Sequence, residues 1–167
     1  MAFFNKSEDQ HGRLDWQILQ NGWTSLYFNT ELLNTAIQWF EKENYKVLIL
    51  DCIQWTSKDD ILKGIGKELN FPDYYGKNLS ALNDCLWNIE IAKSGLVVVF
   101  TSFDLIDKEL AYDLLDIFAT NSRSHFLFGD RLITLVQVND AHYHCEPVGA
   151  NPVLWNPKEW LNSSRGI

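Results

Sequence analysis

The residues with the most capacity for chemistry lie in one short stretch. Ser80, Asn83, Asp84 and Trp87 stand at i, i+3, i+4 and i+7, so a helix through them carries all four on one face. That face offers hydrogen-bonding groups, one carboxylate and one large aromatic ring, residue types that anchor protein interfaces. A second candidate is Asp140, His142, His144 and Cys145, whose side chains are zinc-type ligands; alternation in a strand would turn both histidines to one side. Its spacing matches no strong zinc template, so it stands only as a small metal-enzyme alternative, and no metal or other cofactor is assigned to the chain. A third is the acidic helix face of Glu109, Asp113 and Asp116, suited to solvent or to a basic partner. No phosphate loop, Gly-x-Ser-x-Gly elbow or His-Glu-x-x-His motif occurs, and the chain is read as a non-enzyme.

These groups need elements to hold them. Pro72 fixes φ, and Gly76 offers a backbone conformation closed to other residues, so together they hold Tyr74 and Tyr75, with Tyr75 expected to be the more buried. Asn78 is placed to cap a helix running to about residue 89, with Leu79, Leu82, Leu86 and Ile89 turned to the core. Earlier, Asn21-Gly22 reads as a hairpin turn between two short apolar segments, 16–19 and 23–28. Asn29-Thr30 then caps a helix over 31–43, and Ser57 caps another over 58–69. Val47-Leu48-Ile49-Leu50 and Leu96-Val97-Val98-Val99-Phe100 are continuous apolar runs, the pattern of strands buried on both faces of a parallel sheet. Leu110, Leu114, Leu115 and Phe118 stripe a helix over 107–121, and a third strand covers 132–138. Strands alternating with helices make the class α/β with a mainly parallel sheet. Beyond Asn139, Pro147, Pro152 and Pro157 break the chain; a short helix is expected at 157–162, and Trp155 and Trp160 suggest a tail docked on the body.

Composition bounds the function. The chain has 167 residues, 46% hydrophobic and 22% charged, which is the profile of a folded globular protein. Its 14 Lys+Arg against 22 Asp+Glu leave a net charge of −8, which argues against a general nucleic-acid binder and suits a basic partner. The first dozen residues are polar and expected to be loose, and no signal peptide or membrane-spanning run is visible. Cys52, Cys85 and Cys145 are odd in number and widely spaced, so they read as reduced thiols in a cytoplasmic protein.

The run Phe71-Pro72-Asp73-Tyr74-Tyr75-Gly76-Lys77-Asn78-Leu79-Ser80-Ala81-Leu82-Asn83-Asp84-Cys85-Leu86 closely resembles the signature of the barstar family, intracellular inhibitors that protect a cell from its own ribonuclease toxin. All but one of the fixed positions match. The resemblance implies a barstar-like small parallel sheet with helices packed on it over residues 45–138. An N-terminal hairpin and helix (1–44) and a C-terminal tail (139–167) would then be additions to one compact unit. It also implies a cytoplasmic immunity protein that blocks the active site of a basic, bacterial-type ribonuclease toxin, as a monomer or a 1:1 complex, with no nucleic-acid or membrane partner. Asp84 would take the place of the substrate phosphate in the nuclease. Tyr74 and Asn78 would contact the nuclease around it, and Gly76 and Leu79 would supply backbone and packing contacts. Ser80, Asn83 and Trp87 complete the expected contact face. Ser80 replaces a family aspartate, Asn83 stands where the founding member has an exposed tryptophan, and Thr120 lies near the position of an acidic contact. These departures point to a toxin other than barnase. The alternative is a binding module on the same fold for a non-nuclease partner.

Overall fold

Each strand is followed by a helix or a long connection, which returns the chain to the same end of the sheet and makes every pairing parallel. In a computed structural model, residues 11–167 are described; the expectation of a loose polar start falls largely on residues 1–10, which lie outside them. Strands β1 (Thr24–Tyr27), β2 (Lys46–Asp51), β3 (Leu96–Thr101), β4 (Leu132–Gln137) and β5 (Leu154–Trp155) form one sheet in the order β2-β3-β4-β1-β5. All four neighbouring pairs are parallel. Helices α1 (Leu14–Leu19), α2 (Thr30–Lys42), α3 (Lys58–Glu68), α4 (Leu79–Trp87) and α5 (Lys108–Phe128) cover it on both sides. On one face Leu50, Val98, Phe100 and Val136 pack with Ile65 of α3, Leu82 and Leu86 of α4, and Leu114 and Phe118 of α5. On the other, Val97, Val99, Ile133 and Leu135 pack with Ile18 of α1 and Leu33, Ile37 and Phe40 of α2. Strands β3 and β4 are buried on both faces, as their unbroken apolar runs require. Among the described residues no helix is long and apolar enough to cross a membrane.

Four elements differ from the sequence reading. The N-terminal hairpin is absent: residues 14–19 are helical, and β1 lies between β4 and β5, parallel to both. The Asn-Gly signal encodes positive φ, and here it ends a helix: Gly22 (φ 106°) and Trp23 (φ 67°) turn the chain while the Asn21 and Trp23 N–H groups donate to the Ile18 carbonyl. Strand β2 is a sheet edge, with Ile49 54% exposed, so its apolar run does not mean burial on both faces. Helix α5 runs to Phe128 instead of ending near 121. Its weak helix formers Ser122 and Ser124 donate their hydroxyls to the carbonyls of Phe118 and Thr120, one turn back, and Gly129 at φ 103° ends the helix. In the tail, the expected helix at 157–162 is absent: turns occupy the segment, between β5 before it and a short 3₁₀ turn at Asn162–Arg165.

Buried polar clusters hold the start of α1 and the C-terminal tail to the body. Asp15 is fully buried; it accepts from Arg13 Nη2 (2.9 Å), Tyr45 Oη (2.6 Å) and Arg131 Nη1 (3.3 Å). Burial alone would push its carboxyl up, but the hydrogen bonds from Arg13 and Tyr45 and the Arg13 charge hold it below the usual carboxylate range. In the tail, the buried Glu159 carboxylate accepts the Phe28 and Asn29 N–H groups at 2.9 and 2.8 Å. Arg165 donates to the carbonyls of Ala141 and Glu159 and lies 4.3 Å over the Trp155 ring. Trp160, by contrast, stays exposed.

Candidate functional site

The loop before α4 is set by a few local contacts. Phe71 N–H returns to the Gly66 carbonyl (2.8 Å), and Tyr75 N–H to the Pro72 carbonyl (2.9 Å). The Tyr75 ring lies against Gly66, where a Cβ would sit 2.5 Å from its Cε1, and meets Phe71 edge-on at 5.1 Å. That socket explains why Gly66 carries no side chain. Burial pushes the Tyr75 hydroxyl up to about 12. The two tyrosines therefore divide their work: Tyr75 is 8% exposed and anchors the loop, while Tyr74 is 83% exposed.

Gly76 is needed for a different reason from the one its type suggests. The positive φ belongs to Lys77 (52°), and Gly76 is absent from the left-handed residues. What Gly76 provides is room, since a Cβ there would stand 3.1 Å from Asn78 Nδ2 and 3.5 Å from Ala81 Cβ. Asn78 caps α4, its Oδ1 accepting from Ala81 N–H at 2.8 Å while its Nδ2 donates to the Gly76 carbonyl at 3.3 Å. Loop and helix are thus tied through one carboxamide.

Helix α4 buries Leu82, Cys85 and Leu86 and half-buries Leu79. Its far side exposes Ser80, Asn83, Asp84 and Trp87, so the four share a surface. Asp84 stands free: among the described residues nothing donates to its carboxylate. Its main-chain carbonyl accepts from Asn88 Nδ2 at 2.8 Å, which secures the C-terminal end of the helix. Asn83 is engaged, accepting from Asn121 Nδ2 of α5 at 2.9 Å. Nε2 of His125 in α5 lies 2.7 Å from the Leu86 carbonyl, so this nitrogen carries a hydrogen, because a carbonyl can only accept. Trp87 meets Phe128 edge-on at 6.5 Å, and the two form an exposed apolar shelf at the end of α4 and α5. A cleft of about 360 Å³ runs beside the helix, lined by Tyr74, Asp84, Asn88 and Glu90 on one side and by Lys46 and Leu48 of β2 on the other.

The other candidates are dispersed or already occupied. Asp116 accepts the Gly149 N–H at 2.8 Å and so holds the tail, while Asp113 is half-buried and lines a groove beside α3. Thr120 is half-buried, its carbonyl receiving the Ser124 hydroxyl. His142 and His144 are exposed on an irregular segment rather than a strand, with Asp140 accepting the His142 N–H. Among the described residues no group of three or more His, Cys, Asp or Glu side chains is placed to hold a metal ion. The three cysteines are free thiols, and burial raises all three. Two features escaped the sequence reading. The Trp87–Phe128 shelf lies beyond residue 121, where the sequence pattern ends the helix, and the tie between Asn83 and Asn121 joins residues 38 positions apart with no local signal.

Comparison with known proteins places this geometry. A search of curated proteins found nothing that matches the chain. A family model described as Barstar (barnase inhibitor) matches residues 45–131, which contain β2, α3, α4, β3 and α5 and so the whole loop and helix surface. That is a family of inhibitors, not of enzymes. The chain belongs to the barstar family.

Proposed function

We propose that this chain is an immunity-type inhibitor that binds a ribonuclease toxin in the cytoplasm and blocks its active site with the surface of α4 and the loop before it. The observation that carries the reading is the Asp84 carboxylate, exposed and without a donor among the described residues, on the same surface as the exposed Tyr74. A nuclease cleft gathers basic side chains to hold phosphate, and a carboxylate presented on a rigid helix takes the phosphate's place. Tyr74 supplies a large contact at little conformational cost, since its loop is already anchored through Tyr75. Asn78 and Gly76 act chiefly by holding the loop in shape, and Leu79 by seating the first turn of α4. Ser80 and Trp87 border the contact. The net charge of −8 steers the chain toward a basic partner.

Asn83 favours a partner unlike barnase. Its side chain is spent on Asn121 and offers no exposed aromatic ring, and the nearest aromatic surface is the shelf of Trp87 and Phe128. A pull-down from the protein's own host tests the reading, with Asp84→Ala as parallel bait. Capture of a basic ribonuclease by wild type alone, weakened by added salt, is the expected result. Capture of a non-nuclease by the same surface would move the function to a binding module on this fold.

A further inference from the structure

The two edges of the sheet are finished in different ways. One ends in β5, which is two residues long and flanked by Pro152 and Pro157, the features that keep a strand edge from pairing with another chain. The other is β2, six residues long, with no proline or bulge and no charge between Val47 and Leu50. Lys46 N–H donates to the Gly95 carbonyl of the β3 side, and the parallel register places Leu48 and Leu50 on that same side of the ladder. Val47, Ile49 and Asp51 therefore turn their main-chain groups outward. No hydrogen bond to the outward groups of Val47 or Ile49 occurs among the described residues, and the Ile49 side chain is largely exposed beside them.

We infer that β2 is a self-association edge, on which a second copy of this chain pairs antiparallel about a two-fold axis through Ile49. The partner of such an edge is an extended strand, and β2 is complementary to itself. With Ile49 opposite its own copy, the two residues exchange both main-chain bonds, and each Asp51 N–H reaches the Val47 carbonyl of the second copy. Charge selects the direction. In this antiparallel register Asp51 lies opposite Val47 of the second copy, so no like charges face each other, whereas parallel in-register pairing would set Lys46 beside Lys46 and Asp51 beside Asp51. The strand has no net charge of its own, which lets two acidic chains approach there. The dimer continues the sheet through the axis and buries Val47 and Ile49 on one face. It differs from the monomer or 1:1 complex that the family resemblance implies. The pairing does not rest on what α4 binds, though Lys46 and Leu48 also border the cleft beside Asp84.

The test is sedimentation equilibrium of the full chain without any toxin, from about 1 μM to 1 mM, in about 0.15 M salt to screen self-repulsion. The expected result is a mass rising from 19.4 kDa toward twice that value with concentration. Ile49→Lys and Ile49→Pro should both stay at monomer mass with unchanged circular dichroism. The proline removes only an outward N–H, so it costs no intramolecular ladder bond. Amide exchange supplies the location: Val47, Ile49 and Asp51 amides should slow at high concentration in wild type and not in Ile49→Lys. A wild-type chain that remains monomeric at 1 mM would overturn the inference. So would a dimer that survives Ile49→Lys with those three amides still exchanging freely.

Discussion

Asp15 lies outside the family segment, yet it joins the first and last residues of that segment, Tyr45 and Arg131, to the N-terminal helix. Asp15→Ala removes a fully buried carboxylate. Breaking a buried ion pair by deleting one partner costs about 3–5 kcal/mol, because the other charge is left without compensation. Two features here hold the cost to the low end. Arg13 still reaches Glu43 at 2.9 Å and is about a third exposed, and Arg131 keeps its 3.1 Å bond to Tyr45 Oη. The expected loss is therefore about 3 kcal/mol. For a chain of this length that lowers Tm by roughly 6–12 °C. Urea unfolding followed by tryptophan fluorescence measures it, with an unchanged m-value as the sign that only stability has moved. A loss below about 1 kcal/mol would refute the argument that this cluster fastens the N-terminal segment to the body.

The same cluster sets an acid limit. Because the folded Asp15 carboxyl lies below its ordinary value, its contribution is fully present above about pH 4 and is lost as pH falls through the folded value. The stability gap between wild type and Asp15→Ala should hold steady from neutral pH to about pH 5 and narrow below about pH 4; a gap that widens in acid would contradict this. Asn78→Ala should cost about 1 kcal/mol by removing the cap that accepts from Ala81 N–H, and denaturant titration reads it directly. Thiol labelling at about pH 8 should modify the half-buried Cys145 first, with Cys52 reacting only as fast as the fold opens, since burial pushes its thiol up to about 12. Labelling of Cys52 at the rate of a free thiol would show that its site is open.

The elements around the candidate surface were legible because their signals are local. Asn78 caps α4, the spacing of Ser80, Asn83, Asp84 and Trp87 does place them on one side, and Tyr75 rather than Tyr74 faces inward. The residue type marks Gly76 as special but cannot tell a left-handed φ from a tight approach, and the structure shows the second. The misread elements depend on contacts distant in sequence. Residues 14–19 and the Asn21-Gly22 turn fit a hairpin or a helix end equally well, and the pairing of β1 with β4, more than a hundred residues away, decides between them. The apolar run of β2 resembles those of β3 and β4, and only strand order shows it to be an edge. Likewise the sequence pattern of α5 fades near 121 because serine and asparagine are weak helix formers in isolation, while here they bond back to their own helix.

The central claim is that Asp84 and Tyr74 block a ribonuclease. Its most direct test is to titrate the ribonuclease captured from the host with wild type, Asp84→Ala and Tyr74→Ala, following RNA cleavage. Wild type should abolish cleavage at about one equivalent, as a stoichiometric active-site block requires, while both variants, unchanged in circular dichroism and urea midpoint, should fail to do so at the same concentration. Full cleavage in the presence of excess wild type, or equal inhibition by all three proteins, would contradict the account.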